Sequence, residues 1–134
     1  MKIISFARTS EALLAFQKSV TRRYWKDSHG NGFKPDELVQ AWDKSPRYGG
    51  RKIAIIKIIA VYKEKMIDAP EEDYKNEGFQ FMCDHSIYLY KIGNKKLFPI
   101  PGYWRAWRTT TDEKFKIVWV IRFEILKTFL LPKI

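Results

Sequence analysis

The sequence predicts a small α+β domain: a barrel-like β-sheet carrying two short helices. Three observations lead there. Apolar residues recur with period two through residues 52–62 and again through 113–125. Gly, Pro, Asn and Asp separate most of the apolar runs. Helical signals are confined to two short stretches, 10–17 and 70–77. A chain of 134 residues suits one domain, 1–134, around one core.

The elements follow in order. Residues 2–8 read as a strand through Ile3, Ile4 and Phe6. Thr9 or Ser10 can cap the next helix, Glu11 suits its positive end, and Leu13, Leu14 and Phe16 give it an apolar face. Residues 21–25 look extended. A loop rich in Gly and Asn covers 27–36, a strand 38–42, and a second, cationic loop 43–51. Residues 52–62 form the strongest strand. Ile53, Ile55, Ile59 and Val61 lie on one face and Ala54, Ile56, Ile58 and Ala60 on the other, which predicts a central position. Pro70, three acidic residues and Gly78 bound the second helix. Glu77 in its last turn opposes the helix dipole unless a cation holds it. A strand at 87–92 leads to a turn at Gly93-Asn94, and 97–104 is broken by Pro99, Pro101 and Gly102. In the last strand, 113–125, Trp119 belongs to the core. The apolar tail, 126–134, packs on the barrel or on a second copy.

The formal net charge is +10, and it is uneven. Residues 52–83 carry five basic and six acidic side chains, whereas the flanking segments are strongly basic. Such a chain suits a polyanionic partner, most simply RNA or a nucleotide. One cysteine, Cys83, excludes an internal disulfide and fits a reducing cytoplasm. Two histidines and one cysteine argue against zinc, and nothing points to another metal or a cofactor. No apolar run approaches the ~18 residues of a membrane span, and residues 2–6 are too short an apolar run for a signal peptide.

Two clusters join cations to aromatics. In the 43–51 loop, Lys44, Arg47 and Arg51 can contact phosphates while Tyr48 offers a stacking face. In 104–108, a helical turn brings Trp104 to Trp107 and Arg105 to Arg108, a stacking platform flanked by cations, although at least one Trp is expected in the core. The segment 18–25 holds Lys18, Thr21, Arg22 and Arg23. Either arginine suits a phosphate or carboxylate, and the alternative is an ion pair with Glu71, Glu72 and Asp73. Cys83 with His85 lacks an orienting third group, and His29, in a Gly/Asn loop, could be an acid in a ribonuclease reaction.

Ser5-Phe6, Thr9, the Lys18-x-x-Thr21-x-Arg23 spacing, the 43–50 loop and Glu77-Gly78-Phe79 together resemble the ASCH family, a branch of the PUA-like β-barrels. The resemblance covers residues 2 to about 80 and, more loosely, the closing strand; residues 81–112 look like an insertion. Family members usually carry Gly two residues before the Lys. Here Phe16 stands there, and its Cβ is expected to keep the turn out of the left-handed region. The resemblance implies a cleft for RNA or a nucleotide-like ligand. It also implies ribonuclease activity, or amidohydrolase activity on N4-acylated cytidine-type nucleosides, with Lys18, Thr21 and Glu77 as the catalytic set. A Lys desolvated beside Arg22 and Arg23 can act as general base on the Thr21 hydroxyl. A protein-interaction module using 129–134 is the non-catalytic alternative.

Overall fold

The computed structural model describes residues 1–133. The chain runs β1 (Ile3–Ser5), α1 (Ser10–Leu14), β2 (Val20–Arg23), α2 (Asp27–Gly30), β3 (Leu38–Trp42) and β4 (Lys52–Lys65). It continues with α3 (Asp73–Asn76), α4 (Phe79–Asp84), β5 (Tyr90–Ile92), β6 (Lys95–Leu97), α5 (Pro101–Thr109) and β7 (Ile117–Thr128). Five strands form one mixed sheet in the order β1-β3-β4-β7-β2, and β5-β6 is a separate hairpin. Among the described residues only the β1–β3 pair is parallel.

The sheet is open rather than a closed barrel among the described residues: β1 and β2 are its edges. Those edges nonetheless approach. Arg23 Nη2, on β2, donates to the Ser5 carbonyl, on β1, at 2.6 Å. The seam between them is bridged by side chains instead of a backbone ladder.

The long strands explain why apolar residues occupy both of their faces. On β7, Trp119, Ile121 and Phe123 enter one core with Ile4, Leu13, Ile56 and Ile58. Val118 and Val120 enter a second core with Met66, Phe79, Met82 and Trp104. The alternation therefore feeds two hydrophobic layers, one on each side of the sheet. β4 is central, as its two apolar faces predict. Its register shifts between Ile58 and Ala60, and this bulge leaves Ile59 outside the core.

Several expectations change. Five short α-helices stand among the described residues where two were expected. α2 is a single turn, too short to leave a periodic signal. α5 begins at Pro101, which read as a breaker but is favoured in a first helical turn, where its missing N–H has no partner to lose. Gly78 ends the α3 turn in the left-handed region (φ +93°), yet the chain re-enters a helix at once as α4. β7 starts at Ile117, so Phe115 is exposed, and it runs to Thr128, so Leu126 belongs to the strand. In the tail Leu130 packs on the first core and Leu131 is exposed. Ile134 lies outside the described residues.

Phe16 also departs from expectation. It adopts φ +60°, in the left-handed region despite its Cβ. Two hydrogen bonds make this necessary: Gln17 N–H donates to Ala12 O and Phe16 N–H to Leu13 O. That pair is the Schellman termination of α1, and it requires a left-handed residue at position 16. The closing bonds offset the strain of placing Phe there.

Candidate functional site

The seam between the two edge strands holds a cleft of about 250 Å³. Phe6, Lys18, Thr21, Arg23, Glu77 and Trp107 are among its lining residues. Lys18 leaves the Schellman turn of α1, Thr21 and Arg23 stand on β2, and Glu77 lies in the turn between α3 and α4. Gly78 sets the last distance. A Cβ there would lie 2.7 Å from Ala12 Cβ and 3.5 Å from Lys18 Cβ. Only Gly lets the Glu77 turn sit so close to α1.

Lys18 and Glu77 meet across 59 residues of sequence. Lys18 Nζ donates to Glu77 Oε1 at 3.2 Å and to the Glu77 carbonyl at 2.8 Å. Lys18 is 4% exposed and Glu77 3%. Burial pushes the Lys18 amine down to about 8, against the opposing pull of Glu77 and with a further push from Arg23. Near neutral pH the amine is thus mostly charged but can readily release its proton.

Arg23 and Thr21 form the other wall. Arg23 Nε donates to Thr21 Oγ1 at 3.0 Å. One lone pair of the hydroxyl is occupied, so its hydrogen is directed elsewhere. Burial also lowers the Arg23 pKa. Phe6 lies below both cations, 5.9 Å from Lys18 Nζ and 5.4 Å from the Arg23 guanidinium carbon.

Arg22 is positioned differently from the ligand-binding role expected of it. Its side chain is fully buried and meets three carboxylates. Nη1 donates to Glu77 Oε2 at 2.9 Å, Nη2 to Asp73 Oδ2 at 2.5 Å and to Glu64 Oε1 at 2.9 Å. Asp73 also accepts from both terminal nitrogens of Arg122, at 3.1 and 2.7 Å. Burial alone would raise the Asp73 pKa, but the bonds from Arg122, Asn76 and Arg22 hold it at about 2. Arg22 is therefore the centre of an ion network in the buried wall of the cleft, and Glu77 connects that network to Lys18. The pairing expected with the acidic helix holds for Asp73; Glu71 pairs with Arg108 instead.

The aromatic clusters separate. Trp104 is fully buried in the second core, so it cannot stack on a ligand. Trp107 stands edge-on to it, 5.6 Å away, and lines the cleft. Trp107 also lines an adjoining aromatic groove with Tyr24, Tyr90 and Tyr103. Trp107 Nε1 donates to the Tyr24 hydroxyl at 2.8 Å, and that hydroxyl donates to Glu113 at 2.6 Å. Arg105 is exposed on α5 and does not line the cleft. Lys44 and Arg51 lie at a different cavity, with Arg8 and Lys133, and Arg51 pairs with Asp43 at 3.1 Å. Arg47 and Tyr48 sit on the exposed 3-10 turn of that loop, away from the cleft. His29 packs against Trp25 and Phe33, and His85 packs against Phe81. The cleft residues that sequence reasoning passed over are Ala7, Leu89 and Tyr103, whereas Phe6 and Phe79 belong to the segments that carry the family resemblance. No group of three His, Cys, Asp or Glu side chains among the described residues could hold a metal ion. Nor is any helix among them long and apolar enough to cross a membrane.

No protein-family model and no curated protein matches the sequence. Solved structures do resemble the fold. Protein EF3133 from Enterococcus faecalis V583, of family model DUF984, aligns over 93% of this chain and 76% of its own, at 13% identity and a TM-score of 0.53. The ASCH domain from Lactobacillus crispatus JV V101 aligns over 87% of this chain and 69% of its own, at 15% identity and a TM-score of 0.50. At these identities the likeness concerns the backbone arrangement, and it agrees with the resemblance carried by Lys18, Thr21, Arg23 and Glu77. The chain has the ASCH-domain fold.

Proposed function

We propose that the Lys18 cleft binds a nucleotide-like ligand and hydrolyses an amide on its base, as on an N4-acylated cytidine. The observation that carries this reading is the meeting of Lys18 and Glu77 at 3.2 Å in a cleft that also holds Thr21. With its amine at about 8, Lys18 is about one-tenth neutral at pH 7, enough for a general base. The neutral amine takes the Thr21 hydroxyl proton as Oγ1 bonds to the amide carbon, and the carbonyl π pair moves onto oxygen. Arg23, already bonded to Oγ1, supports the negative charge there. The carbonyl then re-forms, the C–N bond breaks, and the leaving nitrogen takes the proton from Lys18. Water attacks the acyl-Thr21 ester in the same manner, releasing a carboxylic acid and restoring the hydroxyl. Glu77 orients Lys18 throughout and keeps its amine from falling further.

The test uses N4-acetylcytidine with the wild type and Lys18→Met. Release of cytidine by the wild type, lost at least 100-fold in a folded Lys18→Met, is the expected result. Failure of the wild type to turn over or bind any cytidine nucleoside overturns the reading. A second reading, RNA binding without turnover, is favoured by the exposed cations around the cleft. Salt-sensitive RNA binding with no nucleoside turnover would select it.

A further inference from the structure

The β5–β6 hairpin carries an arrangement that the cleft chemistry does not use. Its register places Lys91 directly opposite Lys96. Like charges in facing positions destabilise a hairpin. Both ammonium groups lie 5.3 Å from the ring centre of Tyr88, and the Arg8 guanidinium carbon lies 3.7 Å from it. Arg8 Nε also donates to the Tyr88 carbonyl at 3.0 Å. Three cations therefore gather around one aromatic ring, and Lys95 follows on the other face of the hairpin, opposite Ile92. None of Arg8, Lys91, Lys95 and Lys96 has a carboxylate partner among the described residues. The π face of Tyr88 offsets part of the repulsion, but it does not neutralise it.

The position of this cluster indicates its ligand. Ala7 and Leu89, the chain neighbours of Arg8 and Tyr88, line the Lys18 cleft, while Arg8 itself lines the neighbouring cavity with Lys44 and Arg51, so the cluster lies between the two. Tyr90, on the other face of the same hairpin from Lys91 and Lys96, lines the adjoining aromatic groove with Tyr24, Tyr103 and Trp107. Cations that follow a backbone beside aromatic faces that stack bases are the pattern of single-strand recognition. We infer that the 88–97 hairpin is a phosphate-binding arm for single-stranded RNA, holding the phosphates next to a nucleotide seated in the Lys18 cleft. A cleft of about 250 Å³ admits a base only when that base is unpaired, which excludes a duplex. The inference rests on reading the cleft as a nucleotide site.

The experiment compares the wild type with the surface variant K91Q/K95Q/K96Q. Fluorescence anisotropy follows a labelled eight-nucleotide cytidine-rich RNA across 50–200 mM KCl, and calorimetry follows cytidine 5′-monophosphate. The variant is expected to bind the RNA at least tenfold more weakly at 100 mM salt. Its log–log salt slope should be shallower by about 2, from three lost contacts at about 0.7 each. Affinity for the mononucleotide should stay within twofold. An unchanged slope with intact mononucleotide binding overturns the arm and leaves the cleft reading standing. Absence of mononucleotide binding in the wild type removes both. Equal wild-type affinity for duplex RNA or for heparin overturns the assignment to single strands.

Discussion

Replacing Glu77 by Gln keeps the side-chain shape and removes one charge where two buried cations meet. The carboxylate accepts from Lys18 at 3.2 Å and from Arg22 at 2.9 Å, almost out of contact with water. Breaking a buried pair by removing one partner costs about 3–5 kcal/mol. Here the loss falls below that range, at about 2–3 kcal/mol at pH 7, because Arg22 keeps Asp73 and Glu64 and because Lys18 can shed its proton. The second reason gives a pH signature. In the wild type, folding lowers the Lys18 pKa from 10.5 to about 8. The unfolded chain then binds more protons within that window. The stabilisation is complete above 10.5 and is lost as pH falls through about 8, at up to about 1.4 kcal/mol per unit. Glu77 opposes that lowering, so its removal extends the window below 8. Between pH 6 and 8 the variant should therefore recover stability relative to the wild type. Urea unfolding followed by tryptophan fluorescence at pH 6, 7 and 8 measures the difference. A stability gap that is constant across that range would refute the coupling of Lys18 to Glu77.

The other predictions concern the same frame. Phe16→Gly should stabilise the protein by about 0.5–1 kcal/mol, since the position is left-handed and the residue is 60% exposed; urea unfolding shows this as a higher midpoint. Gly78→Ala should destabilise by about 2 kcal/mol and reduce Lys18-dependent activity, because a Cβ at φ +93° strikes Ala12 and displaces Glu77. The Asp73 pKa is depressed to about 2, so its stabilisation is present above about 3.8 and is lost as pH falls through about 2. Asp73→Asn should therefore flatten acid unfolding in that range, as circular dichroism would record. The kcat/KM for amide hydrolysis should rise with pH and level off above an apparent pKa near 8; a flat profile from pH 6 to 9 would count against Lys18 as the base.

The strands of the sheet could be read from the sequence because their side chains obey period two, and the bounds of β3 coincide with the expected ones. The site was only partly legible. Lys18 and Glu77 are 59 residues apart, and no periodicity connects them; a family resemblance joined them, and the fold brings them together. The position of Glu77 was itself a local clue, since a carboxylate at a helix C-terminus calls for a cation. The role of Arg22 was legible only in part: a pair with Asp73 was one of two readings, but its bonds to Glu64 and Glu77, from other parts of the chain, left no signal. Trp104 and Trp107 differ only in which side of α5 faces the second core, and nothing in Trp-Arg-Ala-Trp-Arg says which does. The rim cations of the hairpin passed unnoticed, since Lys91 and Lys96 become neighbours only once β5 and β6 pair.

A purely structural account of the cleft leaves two features unexplained. Replacing a buried ion pair by apolar residues of similar volume is often neutral or stabilising, so stability alone does not favour Lys18 and Glu77 at that depth. Two left-handed residues, Phe16 and Gly78, bracket the pair, and each fixes one partner's backbone at a cost in conformational freedom. The charge balance points the same way. Around the cleft, Lys18, Arg22, Arg23 and Arg122 meet Glu64, Asp73 and Glu77. Arg23 is the cation in excess, bonded only to the neutral oxygens of Thr21 and Ser5. A network built for stability would close that balance internally. This one leaves a positive charge at the wall, beside the Thr21 hydroxyl and the easily deprotonated Lys18 amine. That is where an anionic ligand, or the oxyanion of a hydrolysed amide, would complete it.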